Sequence, residues 1–197
     1  AEVRAIVQNS PMWKQGGTDS ISIAFCRNMP DEAIEGLIEI FHMMDQYAVP
    51  PIQILNSILA LIPKPDLGER PIGILSYIYR LYARLHKIEI DDWEATTRVE
   101  WDTAVQGNSA LQSALKRMLF DEAAVNDQQT AAEIFIDIKK FYDHISWFRL
   151  IWHAVVTGFP KVVLIVGTYV HLAPRQVRVR KVLFPACTAY IWRCGGR

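Results

Sequence analysis

ILNSILALIPKPDLGERPIGILS, residues 54–76, decides how the chain is read. Two apolar runs flank Pro65-Asp66-Leu67-Gly68-Glu69, a cluster of the residue types that reverse a chain, and the pattern predicts a β-hairpin. Lys64 stands at one shoulder of the turn and Arg70 at the other, so the tip is polar and basic. Immediately afterwards Ser76 is placed to cap a helix, YIYRLYARLHKIEI, residues 77–90. Helical spacing puts Ile78, Leu81, Tyr82 and Leu85 on its buried face and directs Arg80, Arg84 and Lys87 elsewhere.

The flanking chain alternates between helix and strand signals. After a loop at KQGGTDS (14–20), MPDEAIEGLIEIFHMMDQYAVPP (29–51) carries Ile34, Leu37, Ile38, Phe41 and Met44 at helical spacing. Acidic residues open it and Pro50-Pro51 stop it. Beyond the 77–90 helix, QGNS (106–109) offers Asn108 or Ser109 as the cap of a further helix whose stripe is Leu111, Ala114, Leu115, Met118 and Leu119. This stripe and that of the 77–90 helix both read as core. Next come a helix at SWFRLIWHAVVTG (146–158), a break at Gly158-Phe159-Pro160, and an apolar helix to about Leu172. RQVRVRKVLF (175–184) alternates, with Val177 and Val179 on one face and Arg178 and Arg180 on the other, as a half-exposed strand does. Helices with a hairpin and separate strands predict the α+β class.

Composition sets the outer bounds. The chain has 197 residues, 51% of them hydrophobic, enough for a sizeable core. Lys+Arg and Asp+Glu number 21 each, yet no acidic residue follows Ile151, where Lys161, Arg175, Arg178, Arg180, Lys181, Arg193 and Arg197 collect. Cys26, Cys187 and Cys194 fit neither a disulfide framework nor a zinc site and accord with a reducing, intracellular compartment. The apolar run from Val162 to Ala173 is too short to span a membrane, and no internal repeat is present. A start without Met and the closing WRCGGR read as a fragment of something longer.

EIFIDIKKFYDHI (133–145) holds an Asp inside an apolar strand pattern. Alternation puts Ile134, Ile136 and Ile138 on one side and Phe135, Asp137 and Lys139 on the other. An unpartnered buried carboxylate there costs more than the roughly 2–7 kcal/mol of a neutral polar group, so a cation should meet it. A buried salt bridge and a ligand site are both open on this stretch alone.

Taken together, these features resemble the reverse transcriptase domain of non-LTR retrotransposons and group II intron-like elements. LIPKPDLGERPIGILSYIYRLYARL (61–85) is similar to that family's fingers motif, and FIDIKKFYDHI (135–145) to its first palm motif. LIWHAVVTGFPKVVLIVGTYVHLAPRQVRVR (150–180) resembles the stretch that follows, two helices around Gly-Phe-Pro and a hairpin rich in Arg and Val, with weaker echoes at GGTDSIS (16–22) and VQGNSALQSAL (105–115). The resemblance implies the fingers and an incomplete palm of a right-hand polymerase. Residues 1–13 would be a leader, 14–90 fingers, 91–145 palm with the metal-binding strand, and 146–197 the return to the fingers and the start of the next palm segment. The implied activity is RNA-directed DNA polymerisation, with an RNA template, a DNA primer and deoxynucleoside triphosphates as partners and no membrane.

Such enzymes use two Mg²⁺ ions about 3.5–4 Å apart. The resemblance assigns metal binding and catalysis to Asp137, with the backbone carbonyl of Ile138 as a further oxygen ligand. It assigns triphosphate binding to Lys64 and Arg70, and to Tyr142 the exclusion of a 2′-hydroxyl. The basic strand residues Arg175, Arg178, Arg180 and Lys181 are candidates for gripping template–primer phosphates. Phe141 departs from the small residue usual before the sugar gate. No Asp or Glu follows Asp143, so the later Asp-Asp pair of the family is missing, as is its glutamine-glycine motif.

Two other readings stand beside this one. The chain could be a decayed retroelement copy retaining at most a nucleic-acid-binding module. An RNA-directed RNA polymerase shares the D-x5-D strand, although Tyr142 and the hairpin argue against it. Because one carboxylate cannot hold two metals, the chain alone should not extend a primer on RNA with Mg²⁺. Deoxynucleotide-selective extension abolished by Asp137→Ala would overturn this. In a longer parent enzyme, Asp137→Ala should abolish extension with the fold intact.

Overall fold

A computed structural model describes residues 2–11, 16–65, 68–99, 109–130, 132, 144–179 and 182–187. It is a mixed α+β structure, with helices and a four-stranded mixed sheet. The chain divides into two compact units, one of residues 1–91 and 158–197, the other of residues 92–157.

In the first unit, α1 (Glu2–Gln8), α2 (Ile23–Arg27), α3 (Asp31–Tyr47), α4 (Ile52–Leu55) and α5 (Tyr77–Leu85) meet in one hydrophobic core. Ile34, Leu37, Phe41 and Met44 supply the α3 face, and Tyr77, Ile78, Leu81 and Tyr82 the α5 face. All but Tyr77 are positions that the helical spacing predicts, with Ile38 and Leu85 partly buried beside them. The Phe41 and Tyr82 rings lie 5.7 Å apart at a tilt, and the Tyr82 hydroxyl donates to Asp45 Oδ1 at 2.7 Å. Burial, reinforced by that bond, holds the Tyr82 phenol well above its usual pKa.

The sequence reading sets residues 1–13 apart as a leader. In the structure, Val3 and Val7 of α1 are buried in the same core as α3 and α5. Guanidinium groups fasten this helix. Arg27 donates to the carbonyls of Gln8 and Ser10 at 2.6 and 2.8 Å, satisfying acceptors at the helix's C-terminal end, and Arg4 pairs with Asp31. Cys26, fully buried between these helices, has its thiol raised to about 11 by burial and by Asp19. That is a structural thiol.

Ser76 caps α5 as predicted, its side chain accepting from the Ile78 N–H at 3.2 Å. The predicted 77–90 helix is interrupted at His86, after which α6 (Lys87–Thr97) begins. The His86 ring lies at the break, 3.1 Å from both Asp45 Oδ1 and Glu89 Oε2. Charged anchors on either side of the ring thus mark the point where the helix is interrupted.

β1 (Ser57–Pro63) and β2 (Glu69–Ile74) form the predicted antiparallel hairpin, with Ile62 opposite Arg70. After α9 (Lys161–Leu172) come β3 (Arg175–Val179) and β4 (Val182–Cys187), an antiparallel pair where the alternation alone predicts a single strand and the resemblance a hairpin. The sheet order is β2-β1-β3-β4, and β1 runs parallel to β3, with Ser57 opposite Arg175 and Leu61 opposite Val179. Both edge strands contain a proline, Pro71 and Pro185. Proline is tolerated at an edge and discourages pairing with another strand.

The second unit includes α7 (Ala110–Asn126) and α8 (Trp147–Val156). Ser109 caps α7 in a reciprocal capping box with Gln112. The α7 stripe, expected to be core, is exposed: Leu111 is 69% and Leu119 60% accessible. Helical periodicity identifies an apolar face, but a face becomes core only where a neighbour covers it. α8 ends at Val156 with Thr157 as its cap, and Gly158 just beyond, with a φ of 74°, is a left-handed stop open to glycine at no steric cost. Of the strand stretch predicted at 133–145, on which the palm assignment rests, residues 133–143 lie outside the described residues.

The contrast between the two stripes is measurable. Leu81→Ala should cost about 2–5 kcal/mol, as deletions in a packed core do, whereas Leu119→Ala should change stability by less than about 0.5 kcal/mol. Denaturant unfolding of the two variants checks this, and equal losses would contradict the exposed placement of α7.

Candidate nucleic-acid interface

Of the basic residues singled out by sequence, the mixed sheet carries Arg70, Arg175 and Arg178. Residues aligned across neighbouring strands project from the same side, and successive residues alternate. Ala60 is aligned with Ile72 and with Arg178, Ile62 with Arg70, and Arg178 with Leu183. One face therefore carries Arg70, Arg178, Ile62, Ile72 and Leu183. The opposite face carries Glu69, Pro63, Leu61, Val179 and Arg175, by the same register.

Along β1, burial fades with distance from the core and does not simply alternate between faces. Ser57 and Ile58 are buried, the next three residues are half-buried, and Ile62 and Pro63 are exposed. The far end of the sheet thus leaves the core with its apolar side chains in solvent: Ile62 is 46%, Ile72 41% and Leu183 50% accessible. An exposed apolar strip flanked by arginines, with no carboxylate on the same face among the described residues, is a surface suited to an anionic partner with apolar parts.

Lys64 and Arg70 are both exposed, and neither forms an ion pair with a described residue. Lys64 extends the hairpin ladder by donating its N–H to the Gly68 carbonyl at 2.8 Å. At that register position, alternation puts its side chain on the side of Ile62 and Arg70. Arg178 is half-buried on β3. From strand spacing, Arg70 and Arg178 are roughly 10 Å apart across the sheet and 7 Å along it.

The remaining sites separate from this face. Arg175 points to the opposite side from Arg178, and its guanidinium donates to the His171 carbonyl at 2.7 Å, closing the last turn of α9. Arg180 and Lys181, and likewise Asp137, Ile138 and Tyr142, lie outside the described residues. Among the described residues no three His, Cys, Asp or Glu side chains are grouped to hold a metal. None of their helices is long and apolar enough to cross a membrane.

Sequence reasoning overlooked Ile62, Ile72 and Leu183. ILALI at 58–62 is apolar at every position, which masks the face they share with the arginines. No family model matches the chain, and no curated protein matches it.

Proposed function

We propose that the chain is the fingers and front of the palm of an RNA-directed DNA polymerase, and that the Arg70–Arg178 sheet face meets nucleic acid. The supporting observation is the register of the sheet, which puts Arg70 and Arg178 on one face with no carboxylate among its described residues, while Glu69 lies on the other face with Arg175. The sequence resemblance supplies the polymerase class. Phosphoryl transfer asks a protein chiefly for positioning and charge stabilisation.

Exposed Arg70, with a planar guanidinium that binds phosphate oxygens in pairs, receives the triphosphate together with Lys64. Arg178, roughly 12 Å away by strand spacing, is positioned for backbone phosphates of the template, while Ile62 and Ile72 between them offer apolar contact to sugars or bases. Contacts of this kind grip without reading sequence, as copying any template requires. In this reading Asp137 and the Ile138 carbonyl would supply part of a magnesium site, whose charge would serve phosphoryl transfer in the complete enzyme. Tyr142 excludes the 2′-hydroxyl, and Arg180 and Lys181 extend the phosphate grip.

Binding of an RNA template annealed to a DNA primer, measured across salt concentrations, tests the interface. Affinity should fall steeply with salt, and Arg70→Ala and Arg178→Ala should each weaken binding for all sequences alike and lower the salt slope by about 1. Arg175→Ala should leave that slope unchanged and lower thermal stability, because its guanidinium closes α9. Salt-independent binding, or wild-type slopes in both Arg70 and Arg178 variants, would overturn the assignment.

A further inference from the structure

The loop Gly16-Gly17-Thr18-Asp19-Ser20 reaches both ends of the β1–β2 hairpin. At the β1 root, the Thr18 hydroxyl donates to the Asn56 carbonyl at 3.1 Å, one residue before the strand begins. At the β2 root, Asp19 Oδ2 accepts from the Ser76 hydroxyl at 2.5 Å, two residues after the strand ends. Ser76 is fully buried and also caps α5. One carboxylate is thus bonded to the residue through which the hairpin passes into the core helix.

The backbone is just as close. A Cβ on Gly17 would lie 2.8 Å from Ser76 Cα and N and 2.9 Å from the Leu75 carbonyl oxygen. Those are backbone atoms that cannot swing aside, so only glycine permits the approach. Within the loop, the other Asp19 oxygen accepts from the Ile21 N–H at 3.2 Å, and the Ser20 N–H donates to the Gly17 carbonyl at 3.2 Å. Both carboxylate oxygens are therefore engaged, one holding the loop's shape and the other its attachment.

This attachment matters because the far end of the hairpin lacks a buried face. Its orientation is set at the roots and by pairing with β3. We propose that Asp19 is a positioning residue, and that loop 16–20 clamps both hairpin roots and so fixes where Lys64 and Arg70 are held. The clamp stands independently of the polymerase reading, and only its effect on nucleic-acid affinity rests on that reading.

Amide hydrogen exchange on this chain separates a clamp from a general stability effect, since local opening exposes only the affected amides. In Asp19→Ala, exchange across residues 59–63 and 69–73 should rise about tenfold or more, while α3 amides at 34–44 change less than about twofold. Asp19→Asn keeps an acceptor for the Ser76 hydroxyl and should restore most of the protection. Thr18→Val should loosen the β1 side preferentially. If Asp19→Ala fails to fold, the other two variants carry the comparison.

Unchanged hairpin exchange in all variants, or equal acceleration in the hairpin and α3, would overturn the proposal. Template–primer affinity measured on the same samples tests the other reading. It should fall about three- to tenfold where the hairpin loosens. Loosened hairpin amides with unchanged affinity would uphold the clamp and remove the hairpin from the nucleic-acid interface.

Discussion

Parallel pairing of β1 with β3 is the constraint on which the candidate surface depends. An isolated two-stranded hairpin is marginal in water, and the 57–74 hairpin has little of its outer half buried. Pairing Ser57–Leu61 with Arg175–Val179 turns it into half of a four-stranded sheet. Parallel strands need a long crossover, and here the chain passes through α5 to α9 before returning as β3. The same pairing aligns Arg178 with Ala60, bringing a basic residue from the late, acid-free part of the chain onto the Arg70 face.

The helical core supplies the platform. Its apolar contacts are conventional, but the polar links decide how the pieces are oriented. Arg27 gathers the end of α1, the Tyr82 hydroxyl joins α5 to Asp45 on α3, and Asp19 reaches Ser76 at the start of α5. A buried polar group without a partner is costly, so such bonds select one arrangement among several that apolar packing alone would tolerate. Arg80 shows a related balance. Burial lowers its pKa, while Tyr77, whose ring centre is 5.5 Å from the guanidinium carbon, and Asp19 counter that effect.

Much of the fold was legible where its signals are local. The α3 spacing, the Ser76 and Ser109 caps, the 57–74 hairpin and the break at Gly158 each rest on a few neighbouring residues, and the structure has them all. For the α7 stripe, periodicity says which residues share a face and nothing about what covers it. In RQVRVRKVLF the Arg-Val alternation announces a strand but not where it ends, so periodicity alone reads one strand where the resemblance implies a hairpin, and the structure has an antiparallel pair. Within the candidate site, Lys64 and Arg70 were legible from the turn they flank. The divergence of Arg175 from Arg178 follows from their spacing of three, but the capping of α9 by Arg175 required the fold.

By itself, the sequence determined the helices with amphipathic spacing, their caps, the basic-shouldered hairpin and the concentration of positive charge after Ile151. These depend on side-chain periodicity and on backbone preferences acting over a few residues. That the early hairpin and the late Arg-Val strand form one sheet, which arginines share a face, and that loop 16–20 is fastened to Ser76 emerge in the folded chain. Those outcomes come from contacts between segments far apart in the chain. The backbone groups that make a ladder are the same in every residue, so no local pattern names the partner strand.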